Sequence, residues 1–161
     1  MASGDGFGWF RSTAYEIPTA NAAIPGSRNG HPILVFPSGL LRVANWTSWL
    51  PGNYSNGGLT LIVVYMSNSI TGNVIWNAAI ERIQSGTGDL DSDSFASAQA
   101  VTDTVPGTSG IAKYATITFT NGGQMDSLVA NEAYRLQISR PSSGGTAVTD
   151  AQLLLAALRE T

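Results

Sequence analysis

Residues 111–121, IAKYATITFTN, alternate with a period of two. Ala115, Ile117 and Phe119 fall on one side, and Thr116, Thr118 and Thr120 on the other. A strand with one face in a core and one in water reads this way, and such strands belong to antiparallel sheets. AYRLQISR at 133–140 repeats the pattern, with Tyr134, Leu136 and Ile138 opposed to Arg135, Gln137 and Ser139. GNVIWNAAIERIQS at 72–85 sets Val74, Trp76, Ala78 and Ile80 against Asn73, Ile75, Asn77, Ala79 and Glu81. HPILVFPSGLLRVANW at 31–46 holds two short apolar runs about a PSG turn, and SFASAQAVTDTV at 94–105 is a weaker strand. Turn residues punctuate these runs: SNGG at 55–58, SGTG at 85–88, PGTSG at 106–110, NGG at 121–123 and SSGG at 142–145. Short strands with turns at this spacing predict an all-β sandwich or barrel.

The last segment, DAQLLLAALRE at 150–160, reads two ways. Ala and Leu favour helix, and Asp150 is a fit N-cap. As a strand, which is the reading taken here, Leu153, Leu155 and Ala157 share one face and Leu154, Ala156 and Leu158 the other.

Residues 1–32 are rich in Gly, Ala, Ser, Asn and Pro without periodicity and read as an extended N-terminal arm. The arm carries Phe7, Trp9, Phe10 and Tyr15, which predicts docking on the body or on a neighbouring subunit. Residues 33–161 form the one remaining domain, a size that buries enough surface for a core without staples.

Charged residues make up 12% of the 161, about half the usual share. The net charge is −3, and the eight Lys and Arg residues are scattered, which argues against nucleic acid as a partner. There is no cysteine, so disulfides and thiolate metal sites are excluded. The longest apolar run, LTLIVVYM, is too short to cross a bilayer, and no export signal is recognisable in MASGDGFGWFRS. The expectation is a soluble chain made in the cytoplasm, without a membrane partner.

That apolar run belongs to WLPGNYSNGGLTLIVVYMSN at 49–68. Leu59, Leu61, Val63 and Tyr65 point one way and Ile62, Val64 and Met66 the other, so neither face is wet. A covering arm or a second subunit accounts for this, and Ile62, Val64 and Met66 are the expected subunit interface of a closed oligomer.

Chemistry-bearing motifs are sparse. His31, the only histidine, sits in a turn before Pro32, and no nucleophile elbow accompanies it. Glu81 and Glu132 are not linked as a glycosidase pair would be. No catalytic residue and no cofactor are expected. Asp89, Asp91 and Asp93 alternate as calcium ligands do, but Ser94 and Ala100 stand where an EF-hand loop needs Gly and Glu, leaving a weak calcium candidate or an acidic turn. Trp46 and Trp49, with Tyr54, bracket a turn and offer a glycan-stacking platform or a plug for the end of the sandwich.

The W–LP–Y turn at 49–54, GNVIW at 72–76, DSDSF at 91–95, TVPGT at 104–108 and YRLQISR at 134–140 resemble small jelly-roll virion proteins of tailed bacteriophages, over residues 39–160. The resemblance implies an antiparallel jelly-roll sandwich. It also implies a homotrimeric capsid decoration (cement) protein on the virion surface, partnered by the major capsid protein lattice, with Phe7, Trp9, Phe10 and Tyr15 as the capsid-contact arm. The alternative it leaves is a tail-fibre or receptor-binding module that recognises a host surface glycan through Trp46, Trp49 and Tyr54.

Overall fold

The structure, a computed structural model, describes residues 6–161. Ten strands run in chain order: β1 (Gly6–Arg11), β2 (Ile24–Arg28), β3 (His31–Phe36), β4 (Arg42–Leu50), β5 (Leu59–Ser67), β6 (Asn73–Ile83), β7 (Gln99–Thr104), β8 (Lys113–Phe119), β9 (Glu132–Arg140) and β10 (Ala151–Glu160). They form two antiparallel sheets packed as a jelly-roll sandwich. The larger has the order β2-β3-β10-β5-β8, with β1 also on β10, and the smaller has the order β4-β9-β6-β7.

The alternation read in the sequence sets the faces. Ala115, Ile117 and Phe119 of β8 are buried, and Thr116 and Thr118 are exposed. Tyr134, Leu136 and Ile138 of β9 and Val74, Trp76, Ala78 and Ile80 of β6 also enter the core. At its centre Trp76 meets Phe36 and Tyr65 edge-on, with ring centroids 5.0 and 5.5 Å apart, the arrangement that aromatic quadrupoles favour. Charged side chains are buried with this core, Arg140 and Glu160 among them. The Arg140 guanidinium donates to the carbonyls of Phe36 (2.7 Å), Thr149 (2.8 Å) and Ala147 (2.9 Å). Its burial lowers the arginine's pKa, and Asp150 partly opposes that shift. At Gly72, φ is +90° and a Cβ would lie 2.7 Å from the backbone of Thr146 and Ala147, so the β5–β6 turn needs glycine there.

The segment at 150–160 is a strand although its residues favour helix. It lies inside the larger sheet, paired with β5 on one side and with β3 and β1 on the other, and those ladders outweigh local propensity. An irregularity between Leu153 and Leu155 shifts the alternation. Leu153 therefore shares the core face with Ala156 and Leu158, while Leu155 and Ala157 are half-buried on the outer face. This corrects the faces drawn from simple alternation.

The stretch read as an arm supplies β1 and β2 of the larger sheet. Phe10 is in the core against Trp46 and Tyr134, and Phe7 packs edge-on to Tyr54 at 5.6 Å. Tyr15 is half-buried, its hydroxyl donating to the Ala23 carbonyl. Of the four proposed capsid anchors, only Trp9 stands in the open, 75% exposed on the outer face. On that same face of β5, Val64 is flanked by Tyr114 of β8 and Leu155 of β10. Neighbours within the chain thus hold Val64 and Met66 to 9% and 8% exposure, and Ile62 is half-buried. A central place in a wide sheet accounts for the apolar outer face of β5 without a second subunit.

Candidate functional site

The outer face of the smaller sheet carries a cluster of polar side chains, and its register sets them in rows. Cross-strand pairing lines up Thr47, Arg135 and Glu81 in one row and Asn45, Gln137 and Ala79 in the next. Trp49, Ala133 and Ile83 form a third row at one end. Period-two alternation brings these residues up, because Trp46, Leu136 and Ile80 occupy the opposite face.

The rows are tied together. Arg135 donates from Nη1 to Oε2 of Glu81 at 3.0 Å and from Nε to Oε2 of Glu16 at 3.3 Å. Glu81 is 2% exposed, so the arginine holds a carboxylate that has lost its water. The two heads of the Asn45 amide stand 3.3 Å from Gln137 Nε2 and 3.2 Å from Arg135 Nη2. With its oxygen toward Arg135, the amide accepts from the guanidinium. The Phe95 ring covers Arg135 with its centroid 5.3 Å from Cζ, a cation–π contact that also fixes the plane of the guanidinium.

Two loops wall this face. The segment before β2 runs along β4, with Glu16 N donating to Asn45 O (2.7 Å) and Ala23 N to Val43 O (2.8 Å). On the other side Ala96 N donates to Ile80 O (2.9 Å), and this seats Phe95. Between them lies a hollow of about 360 Å³, lined by Ile17, Pro18, Asn45, Phe95, Arg135 and Gln137. A second hollow of about 470 Å³ on the same face is lined by Trp49, Ile83, Ala133 and the 129–132 loop. From Ala133 to Gln137 the strand covers about 13 Å, so the two together accommodate an extended ligand.

The side chains are amide, carboxylate and guanidinium, groups that bond hydroxyls, and Gln137 and Arg135 are the ones that stay partly exposed. Trp49, 55% exposed, and Phe95 add apolar faces. Glu16 and Glu81 hold to the same arginine rather than standing on opposite sides of a gap, which is not the arrangement of a hydrolytic carboxylate pair.

The residues expected from the sequence are placed differently. Trp46 and Trp49 lie three apart in β4 and so face opposite ways. Trp46 is 3% exposed in the core, and its Nε1 donates to the Arg11 carbonyl at 3.0 Å. Tyr54 is buried as well, its hydroxyl donating to the Gly57 carbonyl. Burial, with Glu160 nearby, pushes its pKa up to about 12. The platform of Trp46, Trp49 and Tyr54 therefore does not form, and Trp49 alone is on the surface. Asp89, Asp91 and Asp93 build an exposed turn, not a ligand cage. Asp93 accepts from Asp89 N, and Asp89 accepts from Asp91 N and Ser92 Oγ. Among the described residues, no group of three His, Cys, Asp or Glu is placed to hold a metal ion. Glu132 is engaged by Arg82 through two bonds of 2.6 Å. Sequence reasoning passed over Glu16, Asn45, Phe95, Arg135 and Gln137 as site residues. The polar half of YRLQISR was their one visible signal.

No family model matches the chain, and no curated protein does. Similar solved structures are carbohydrate-binding modules. One is a CBM4 structure, 18% identical, with a TM-score of 0.45 over 94% of this chain and 85% of that one. Another is the CBM22-1 xylan-binding domain of Paenibacillus barcinonensis Xyn10C, 11% identical, with a TM-score of 0.42 over 99% and 96% of the two chains. A third is the family 30 carbohydrate-binding module of a Clostridium thermocellum cellulosomal cellulase, 7% identical, with a TM-score of 0.48 over 99% and 95%. These are sugar-binding modules rather than virion proteins, which overturns the resemblance drawn from the sequence. The capsid decoration role, the homotrimer and the capsid lattice as partner are withdrawn with it.

Proposed function

We propose that the protein is a non-catalytic carbohydrate-binding module that holds an extended glycan across the outer face of the smaller sheet. The observation that carries this reading is the fixed set of planar polar groups in two adjacent rows, Asn45 and Gln137 in one and Arg135 and Glu81 in the other, with Trp49 and Phe95 beside them. A sugar ring presents hydroxyls around its rim and C–H bonds on its faces. Gln137 and Arg135, which stay half-buried, meet the hydroxyls, the buried Asn45 and Glu81 hold them in place, and Trp49 meets a ring face. The ion pairs and the Phe95 contact hold the floor before ligand arrives, so little ordering remains to oppose binding. The groove is open along its length, which suits an internal stretch of a polysaccharide rather than a single sugar.

The test is migration in native gels cast with soluble xylan, mixed-linkage β-glucan, galactan or hydroxyethylcellulose. The expected result is retardation by at least one of them, lost in Trp49→Ala and in Gln137→Ala, both of which remain folded by circular dichroism. Unretarded migration in all four gels, or equal retardation of wild type and both variants, contradicts the reading.

A further inference from the structure

A third cavity, of about 480 Å³, lies on the outer face of the larger sheet, away from the proposed saccharide groove. It is built on the β2–β3 hairpin. Asn29 and Gly30 have φ of 47° and 78°, the left-handed pair that a two-residue type I′ turn requires. The turn places Arg28 directly opposite His31, so both side chains rise on the same face. Met66 and Leu154 supply the apolar wall, and Ser109 and Gly110 close one side.

Arg28 is held rigidly and its charge is unmatched. Nη1 donates to Asn68 Oδ1 and to Gln152 Oε1, both at 2.8 Å, and Nη2 donates to Ser109 Oγ at 3.0 Å. All three partners are neutral. Among the described residues, Arg82, Lys113 and Arg135 have carboxylate partners and Arg28 has none. A guanidinium carries five N–H groups. Three are used here, and Nε–H and one Nη2–H remain. Gly110 permits this placement, because at its φ of +86° a Cβ would stand 2.7 Å from Nη2.

We propose that this cavity binds a small organic carboxylate. The anion sits on the free Nε–Nη2 edge of Arg28, and its apolar body lies against Met66 and Leu154. A planar carboxylate matches that two-donor edge, and a charge-assisted pair of this kind is stronger than a neutral hydrogen bond. A neutral sugar leaves the charge unmatched, and inorganic phosphate makes no use of the thioether and leucine wall. His31 at the rim adds one further hydrogen-bonding group.

The test is a titration of the labelled full chain with sodium benzoate at constant ionic strength, following the Arg28 Nε–H and Met66 methyl resonances by NMR. Sodium phosphate serves as the comparison anion. Saturable shifts with benzoate, and binding weakened about tenfold in Arg28→Gln, are expected. Because Arg28 also ties Ser109 and Asn68 to the sheet, Leu154→Gln is a second variant that leaves the guanidinium in place. It should weaken benzoate about as much and leave phosphate unchanged. Trp49→Ala, on the other sheet, should bind benzoate as wild type does, which keeps this outcome apart from that of the saccharide groove. Absence of a saturable benzoate shift, phosphate binding as tight as benzoate, or wild-type affinity in both variants overturns the assignment.

Discussion

Arg135 Nη1 lies 3.0 Å from Glu81 Oε2, and Glu81 is 2% exposed. Removing the arginine leaves a buried carboxylate without a partner, which costs about 3–5 kcal/mol where it has been measured. Arg135→Ala should therefore lose both glycan binding and stability, seen as a lowered urea midpoint. The double variant Arg135→Met/Glu81→Met should recover most of the stability, because the stranded charge is gone, but not the binding. A double variant no more stable than Arg135→Ala would show that the pair is not the source of the loss.

Trp46 and Trp49 make a direct contrast within one strand. Trp46→Ala opens a hole beside Phe10 in the core and should cost about 3–5 kcal/mol. Trp49→Ala removes an exposed ring and should change the unfolding midpoint by about 0.5 kcal/mol or less. It should nevertheless weaken glycan binding. Equal destabilisation by the two variants would contradict the opposite facing of the two rings.

Arg140, 3% exposed, gives its guanidinium to three backbone carbonyls. Arg140→Leu keeps much of the volume but strands the carbonyls of Phe36, Ala147 and Thr149, at about 1–3 kcal/mol for each that stays dry. Chemical denaturation should show a loss of several kcal/mol with the glycan affinity of the remaining folded protein intact. Stability within about 0.5 kcal/mol of wild type would mean that these carbonyls find water.

Two carboxylates make the fold sensitive to acid. The Arg82 guanidinium, bonded to Glu132, holds that carboxyl below its ordinary value, and the Ser55 hydroxyl does the same for Glu160. A pKa lower in the folded state than in the unfolded one means that stability is present above the unfolded value. It is lost as pH falls through the folded value. The urea midpoint should therefore drop as pH falls through and below the ordinary glutamate range, and the drop should shrink in Glu132→Gln. An unchanged slope in that variant would place the acid sensitivity elsewhere.

The fold was legible because its signal is local. Thr116 and Thr118 against Ala115, Ile117 and Phe119 decide one strand without reference to any other. The position of β10 was less legible, since Leu and Ala suit a helix and the irregularity at Leu154 cannot be seen in a run of leucines. The two-faced apolar strand β5 was read as needing a covering arm or a second subunit. Its outer face is instead flanked by Tyr114 and Leu155, from strands that only the sheet order makes adjacent. The site was the least legible part. Arg135 meets Glu16 from 119 residues away and Glu81 from 54, and no spacing rule joins them. Counting aromatics pointed instead to Trp46 and Tyr54, whose neighbours Phe10 and Phe7 draw them inside.

The most direct test of the saccharide groove is an NMR shift map of the labelled chain titrated with xylohexaose, cellohexaose or galactotriose. The account predicts that at least one of them shifts the Trp49 indole N–H, the Asn45 and Gln137 amides and the Arg135 Nε–H together, and leaves the outer face of the larger sheet unmoved. Shifts centred on the larger sheet, or no saturable shift with any of the three, would contradict it.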